Sequence, residues 1–191
     1  CGTGEFLAYC SDHGFDTLGI EPSPNARAYA KENHTLKVLD GPELSTVESN
    51  SFDHISMWHV MEHVYHLQNR VSDISRLLKP GGHAFIAVPN CKSYDANYYK
   101  EYWAAYDVPR HLYHFQAKDM KRLFEQDSSF SHVETLPMVF DSFYVSMLSE
   151  KYKTGKTNLV RAFYIGLKSN LIASRRKNDS YSSQIYVFRK N

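Results

Sequence analysis

The sequence predicts an α/β fold in which a doubly wound, mostly parallel sheet carries helices on both faces. Three observations predict it. Short apolar runs alternate with helix-period segments at the pitch of βαβ units. The run Ala84-Phe85-Ile86-Ala87-Val88 is apolar throughout, as expected for a strand covered on both faces. Gly2 and Gly4, one residue apart, lead straight into a helical pattern of Phe6, Leu7, Tyr9 and Cys10. Strand and helix alternating in this way imply right-handed crossovers, and ligands of such sheets bind outside the C-terminal strand ends.

Taken in order, the glycine turn feeds a helix that runs to about Asp12 and stops at Gly14, a natural C-cap. Residues 17–20 read as a strand ending in Glu21. Ser23 and Pro24 supply an N-cap and first helical residue for a helix over 25–33. Residues 36–39 form a short strand that ends in Asp40-Gly41. A polar stretch then leads to a strand over 52–58, which opens into a loop at Trp58. Residues 67–79 carry Val71, Ile74, Leu77 and Leu78 on one helical face, and Lys79-Pro80-Gly81-Gly82 ends that helix. Residues 116–126 place Met120, Leu123 and Phe124 at helical spacing. Leu159, Val160, Phe163 and Leu167 make a helical apolar stripe, the pattern of a core face or a dimer contact. The run 174–177 is basic and reads as a solvated loop, or as a contact for an acidic partner or membrane surface.

At 191 residues the chain suits one domain with a sizeable core. With 22 basic and 21 acidic side chains its formal charge is +1. That balance gives no global electrostatic footprint for nucleic acid, and none is expected as a partner. Cys1, Cys10 and Cys91 are odd in number and lack metal-site spacing, which fits a reduced, cytoplasmic setting. No apolar run approaches the roughly 18 residues of a membrane span. The sequence opens on the glycine turn without a Met, so a strand leading into Cys1 is expected but absent from it.

Gly2, Glu21, Asp40 and the loop at Trp58 all fall at predicted strand ends, where the expected crevice lies. Glycine lets a ligand approach the backbone, and the free N–H groups of a helix start attract a negative group. Glu21 ends its strand 17 residues after Gly4. An acidic residue at about that distance accepts hydrogen bonds from a ribose in nucleotide-binding βαβ units. These features point to a nucleoside site. A nicotinamide-type turn would need a third glycine for helix packing, and Leu7 stands there instead.

Cys-Gly-Thr-Gly-Glu-Phe at 1–6, Gly-Ile-Glu-Pro-Ser at 19–23, Phe-Asp-His-Ile at 52–55 with Val-Met-Glu-His-Val at 60–64, and Leu-Leu-Lys-Pro-Gly-Gly at 77–82 resemble the ordered motifs of class I S-adenosylmethionine-dependent methyltransferases. Within that class the chain looks most like the small-molecule branch related to the quinone-biosynthesis enzymes. The resemblance implies a Rossmann-like, seven-stranded, mostly parallel sheet with a C-terminal antiparallel strand pair and an aromatic cap insertion over 91–115. The whole of 1–191 would be one methyltransferase domain.

The resemblance also implies roles. Cys1, Gly2 and Gly4 would lie against the methionine part of S-adenosylmethionine, and Glu21 with Pro22 would meet its ribose. A carboxylate can accept two charge-assisted bonds from the ribose hydroxyls. Asp40 would meet the adenine amine, or simply form an Asp-Gly turn. Met57, Trp58 and His59 would line the other side of the cofactor.

Transfer from a sulfonium needs positioning and exclusion of water more than a nucleophile; a base helps only an acceptor that must lose a proton. Tyr94, Tyr98, Tyr99, Tyr102, Trp103 and Tyr106 crowd into 13 positions of the cap. They form either an amphipathic wall for a ring or lipid-like acceptor, with Tyr102 and Tyr106 as contacts, or an aromatic helix packed on the sheet edge. The run 109–115, Pro-Arg-His-Leu-Tyr-His-Phe, resembles a signature found after the fifth strand in this branch. His111 is the first candidate for a base or acceptor contact, with the alternative that it orders the cap by hydrogen bonding. Arg110 could hold an anionic acceptor, and Glu62 with His63 would order their loop or face the acceptor, His63 as the second catalytic candidate.

His59-Val60-Met61-Glu62-His63 also fits the H-x-x-E-H spacing of a zinc hydrolase, which needs both His on one helical face and a third ligand. Because the segment leaves a strand directly, no metal is expected. The sequence reading is thus methyl transfer to a small-molecule acceptor, with a homodimer possible, against a noncatalytic binding module of the same fold.

Overall fold

The computed structural model describes residues 1–126, 128–175 and 180–191. The chain divides into two compact units, Cys1–Glu48 and Ser49–Asn191. Among the described residues six strands form two sheets, not the single seven-stranded sheet expected. The architecture is nonetheless α/β with a mixed sheet.

In the first unit, helix α1 (Glu5–Asp12) follows the glycine turn, and Gly4 is its N-cap at φ 94°. Strand β1 (Gly19–Ile20) pairs in parallel with β2 (Val38–Leu39). Helix α2 (Pro24–His34) lies between them in sequence. The expected Ser23 cap forms, its hydroxyl accepting from the Ala26 N–H, and Pro24 occupies the first turn. Ala30, Leu36 and Val38 make a small core against Leu7 and Ala8. Phe6 and Tyr9 of the predicted helical pattern are exposed instead.

The second unit holds a four-stranded sheet in the order β3-β4-β6-β5. Strand β3 (Phe52–Trp58) is parallel to β4 (Leu78–Pro89). Strand β6 (Ser183–Lys190) runs antiparallel between β4 and β5 (Phe130–Pro137), which supplies the expected closing pair. Helices α3 (Leu67–Leu77) and α5 (Ala117–Glu125) bury the faces the sequence picked out: Val71, Ile74 and Leu77 on one, Met120, Leu123 and Phe124 on the other. Phe124 stacks on Phe188 at 4.2 Å between ring centres, joining α5 to the sheet.

Two local expectations change. The Lys79-to-Gly82 stop ends α3, but the chain enters the ladder at once, so β4 begins at Leu78 and not at Ala84. A register shift opposite Phe52 to His54 absorbs the extra residues as a bulge. Gly81 takes φ +80° there, and a Cβ on Gly82 would stand 2.9 Å from the Asp53 and Lys79 carbonyl oxygens. These glycines therefore shape a strand as well as ending a helix.

The second change lies in the C-terminal helices. The sequence reading assigns no element to 137–158, where helix α6 (Asp141–Thr154) forms. Its buried face consists mainly of Ser142, Val145, Ser146 and Ser149, so it lacks the apolar periodicity that announces a helix. Helix α7 (Leu159–Arg175) forms over the predicted stripe, but Leu159, Val160, Phe163 and Leu167 face solvent. The core reading of that stripe is thus corrected. The buried face carries Ala162, Ile165, Gly166, Ser169 and Ala173. Gly166 explains why: a Cβ there would stand 2.7 Å from the Phe143 ring and 3.0 Å from the Phe143 Cα. The helices approach so closely that only small residues fit between them. Of the basic run, Arg176 and Lys177 lie outside the described residues.

Candidate functional site

In the first unit the parallel pair sets Glu21 and Asp40 side by side, because Glu21 follows β1 and Asp40 follows β2. The Glu21 N–H donates to the Leu39 carbonyl at 3.0 Å, which extends the pairing by one residue. Glu21 Oε2 accepts from the Gly2 N–H at 2.7 Å and from the Cys1 amino group at 3.0 Å, while Oε1 accepts from the Ser23 N–H at 2.9 Å. Burial alone would raise its pKa. The hydrogen bonds it accepts, that of the Ser23 N–H foremost and that of the Gly2 N–H with it, outweigh burial and hold the carboxyl below the ordinary range. The predicted glycine-turn and ribose residues are therefore brought together as a charged carboxylate beside the turn.

Arg27, which the sequence reading overlooked, ties this cluster. Its guanidinium donates to the Glu21 carbonyl, to the Pro22 carbonyl at 3.2 Å and to Asp40 Oδ2 at 3.4 Å. Its only signal in the sequence is a cation in the first turn of the helix after Glu21. Asp40 Oδ1 accepts from the Gly41 N–H at 2.6 Å, the expected Asp-Gly turn. Gly2 takes φ +60° with nothing among the described residues within 4 Å of its would-be Cβ, so its backbone is open to a ligand.

In the second unit β3 ends at Trp58, and His59 follows with φ 53°. That left-handed turn aims its ring between two carboxylates: Nδ1 lies 3.2 Å from Glu62 Oε1 and Nε2 3.1 Å from Asp141 Oδ2. Both nitrogens must then donate, which makes the ring a cation. Burial opposes that charge, but the bonds and field of Asp141 and Glu62 prevail and raise His59 to about 9. The predicted cofactor-lining His59 is thus committed to Glu62 and Asp141. Met57 is half-buried in the strand, and Trp58 is partly exposed at its end.

A pH dependence follows. Stability from a group whose folded pKa is raised is complete below the ordinary value of 6.5 and is lost as pH rises through about 9. We expect His59→Gln to lower the melting temperature near neutral pH, with the gap to wild type closing across that window. The measurement is thermal unfolding in EDTA, so that no ion competes for the carboxylates. A gap independent of pH would show that the double ion pair contributes nothing.

Residues 61–63 form a 3₁₀ turn, not the α-helix an H-x-x-E-H peptidase site needs. His59 points to Asp141, while His63 Nδ1 lies 3.0 Å from the Arg110 carbonyl. The two His of that motif therefore serve different partners, and the zinc-hydrolase arrangement is not formed.

The loop over 59–65 is stitched to the predicted signature at 109–115. Leu112 N–H donates to the Glu62 carbonyl at 2.8 Å, and the Tyr113 hydroxyl donates to the Tyr65 carbonyl at 3.0 Å. His111 Nδ1 lies 2.8 Å from the Ala105 carbonyl, and its ring meets that of His63 at 4.7 Å between centres. Both predicted catalytic histidines therefore stand together, and His111 also orders the cap. Arg110 is exposed and bonded to Asp107 Oδ1 at 2.6 Å. Its proposed anion-binding guanidinium already has a carboxylate partner.

The cap aromatics divide. Helix α4 (Tyr94–Tyr99) and two 3₁₀ turns carry them. Tyr99 and Trp103 are fully buried, so for these two the packed reading holds. Tyr102 is partly exposed, and Tyr106 sits edge-on to Trp103 and His114 at 5.1 and 4.9 Å. Burial pushes the Tyr106 hydroxyl pKa up, with a smaller contribution from Cys91. Asp95 anchors the whole insertion: its buried carboxyl accepts from Trp103 Nε1 at 2.7 Å, Ser169 at 2.7 Å and Ser182 at 2.6 Å. No helix among the described residues is long and apolar enough to cross a membrane.

These features can be set beside known proteins. A family model described as a methyltransferase domain matches residues 1–128. A ubiquinone biosynthesis O-methyltransferase of Acinetobacter baylyi is 29% identical over 98 residues, which is 47% of this chain and 41% of that protein. The match thus spans less than half the length of that relative. Among solved structures, a SAM-dependent methyltransferase of Archaeoglobus fulgidus is similar with a TM-score of 0.63 at 18% identity, over 100% of this chain and 83% of that one. The phosphoethanolamine N-methyltransferase 2 of Haemonchus contortus, solved with S-adenosyl-L-methionine, gives 0.63 at 18% identity over 99% and 46%. Identities this low bear on the fold alone. The fold, the glycine turn with Glu21 and a family match over residues 1–128 together establish that the chain belongs to the methyltransferase-domain family, with the fold of the S-adenosylmethionine-dependent enzymes.

Proposed function

We propose that this chain transfers a methyl group from S-adenosylmethionine to a small-molecule acceptor. The observation that carries the reading is the Glu21 carboxylate, kept ionised at the end of β1 with the Gly2 N–H on it. The residues present suit the cofactor. A carboxylate of this kind can take two ribose hydroxyls, and the backbone beside Gly2 is open. Asp40, held by Arg27, would accept from the adenine amine. Cys1, Gly2 and Gly4 would lie against the methionine part, and Pro22 would border the ribose. When bound, the cofactor supplies a methyl group already activated on a sulfonium.

In the second unit, Met57 and Trp58 lie at the end of β3, and His59 fixes the turn that follows them. His63 and His111 would face the acceptor group, and Tyr102, Tyr106 and Arg110 would contact the remainder of the acceptor. Removing water and fixing the reacting atoms in line account for most of the rate that such a site can supply.

The test is calorimetric binding of S-adenosylmethionine and S-adenosylhomocysteine, with Glu21→Ala as the control. Hydrogen bonds to a charged group contribute about 1.5–3 kcal/mol, so the variant should bind roughly 10- to 100-fold more weakly. Binding by wild type that Glu21→Ala leaves unchanged would remove Glu21 from the site. No binding of either ligand by wild type would overturn the proposal.

A further inference from the structure

We propose that Glu62, His63 and His111 form a binding site for a divalent transition-metal cation of the zinc type, with an open position for a hydroxyl group. One candidate ligand atom from each of the three lies within 4.8 Å of the others. A tetrahedral zinc ion with bonds of about 2.1 Å holds its ligand atoms about 3.4 Å apart, so closure needs only small side-chain rotations.

Each ring already has the tautomer that ligation through Nε2 requires. His63 Nδ1 faces the Arg110 carbonyl at 3.0 Å, and His111 Nδ1 faces the Ala105 carbonyl at 2.8 Å. A carbonyl can only accept, so both rings carry their proton on Nδ1. In the neutral ring the lone pair is then on Nε2. Ligating histidines commonly use their second nitrogen this way, donating to a backbone carbonyl that fixes ring and tautomer. His111 Nε2 has Asp107 Oδ2 at 3.9 Å, too far for a hydrogen bond.

Glu62 provides the independent observation. Its side chain is 1% exposed, and Oε1 is taken by His59. Among the described residues Oε2 is buried with no hydrogen-bond partner. A buried carboxylate oxygen left unmatched is costly, and a cation beside it would remove the cost. Three bonds hold this corner: Leu112 N–H donates to the Glu62 carbonyl, His111 N–H to the Asp107 carbonyl, and the His63 ring to the Arg110 carbonyl.

Two histidines and one carboxylate leave a fourth position free, the composition of a zinc site that binds a further ligand. Resting on the methyl-transfer reading, this position selects an acceptor with a hydroxyl group. As the oxygen–metal bond forms, the O–H bond breaks and its proton leaves to solvent, so the acceptor oxygen becomes nucleophilic near neutral pH. Nitrogen acceptors gain nothing from such a site.

The experiment is calorimetric titration of chelator-treated full chain with zinc ion alone, without cofactor or acceptor. We expect one zinc per chain, with affinity reduced on the order of 100-fold in His63→Ala and in His111→Ala. His63 is exposed, so its truncation leaves the fold intact, which circular dichroism checks. His54→Ala, on the 6.0 Å His54–His83 pair, should bind zinc as wild type does. Unchanged affinity in both His63→Ala and His111→Ala, or an equal loss in His54→Ala, would overturn the site as adventitious binding. Zinc binding that depends on His63 and His111 together with no binding of S-adenosylmethionine would sustain the metal site and defeat the methyl-transfer reading. The reverse pair of results would do the opposite.

Discussion

Asp95→Ala is expected to cost about 3–5 kcal/mol of stability, the largest effect of any single substitution proposed for this chain. Its carboxyl is fully buried and accepts three bonds, from the Trp103 indole and the hydroxyls of Ser169 and Ser182. Those donors come from the cap, from α7 and from the start of the β6 segment. Alanine would strand all three in a buried space, at about 1–3 kcal/mol each, partly relieved by rotation of the two hydroxyls. For a domain of this size the melting temperature should fall by roughly 10 °C. Asp95→Asn keeps the volume and one acceptor oxygen and should lose clearly less. A loss below about 1 kcal/mol in Asp95→Ala would show that the network is not what holds the cap. Because the cap leads directly into residues 104–111, loosening it should also weaken zinc binding through His111, which separates this anchor from a surface contact.

Gly4→Ala should destabilise the first unit by about 2–5 kcal/mol, where Gly2→Ala costs only about 1–2. Both glycines have positive φ, so each substitution carries a conformational penalty of about 1–2 kcal/mol. Their surroundings differ. A Cβ on Gly4 would meet Leu36 Cδ1 at 2.8 Å and the Ala30 Cβ at 3.0 Å, while one on Gly2 would meet nothing within 4 Å. Leu36 and Ala30 belong to the small core of that unit, so overpacking there adds about 1–3 kcal/mol. Hydrogen exchange at α1 and α2 amides is the appropriate reading, since it reports local opening of this unit and does not require a single global transition. Equal losses at the two positions would show that close packing at Gly4 is not a constraint. The comparison also bears on function: Gly2→Ala adds a methyl to the open space beside the turn, so it should reduce S-adenosylmethionine binding more than it reduces stability.

Much of this organisation was legible from residue types. The Ser23-Pro24 helix start, the Met120-Leu123-Phe124 face and the β3 bounds at Phe52 and Trp58 are local: a cap, a period or an apolar run is contained within a few residues and suffices to predict them. The candidate nucleoside residues were legible for a similar reason. Two glycines before a helix and an acid at the next strand end have a physical purpose at that spacing, and the structure does place Gly2 against Glu21. Where periodicity failed, packing distance was the cause. The α6–α7 contact at Gly166 needs small residues, so its buried faces are serine, alanine and glycine, and the apolar stripe of α7 points outward.

The sequence by itself determined the alternation of strands and helices, the glycine turn and the residues at the strand ends, because each depends on neighbours a few positions away. Only the tertiary structure decided that His59 lies between Glu62 and Asp141, that Asp95 holds Trp103, Ser169 and Ser182, and that His63 and His111 share one corner with a buried, unmatched oxygen of Glu62. The physical reason is range. Hydrogen bonds and metal ligation act over about 2–3 Å, and which side chains come that close across 48 or 82 positions of chain depends on how the helices and strands pack, which no local pattern encodes.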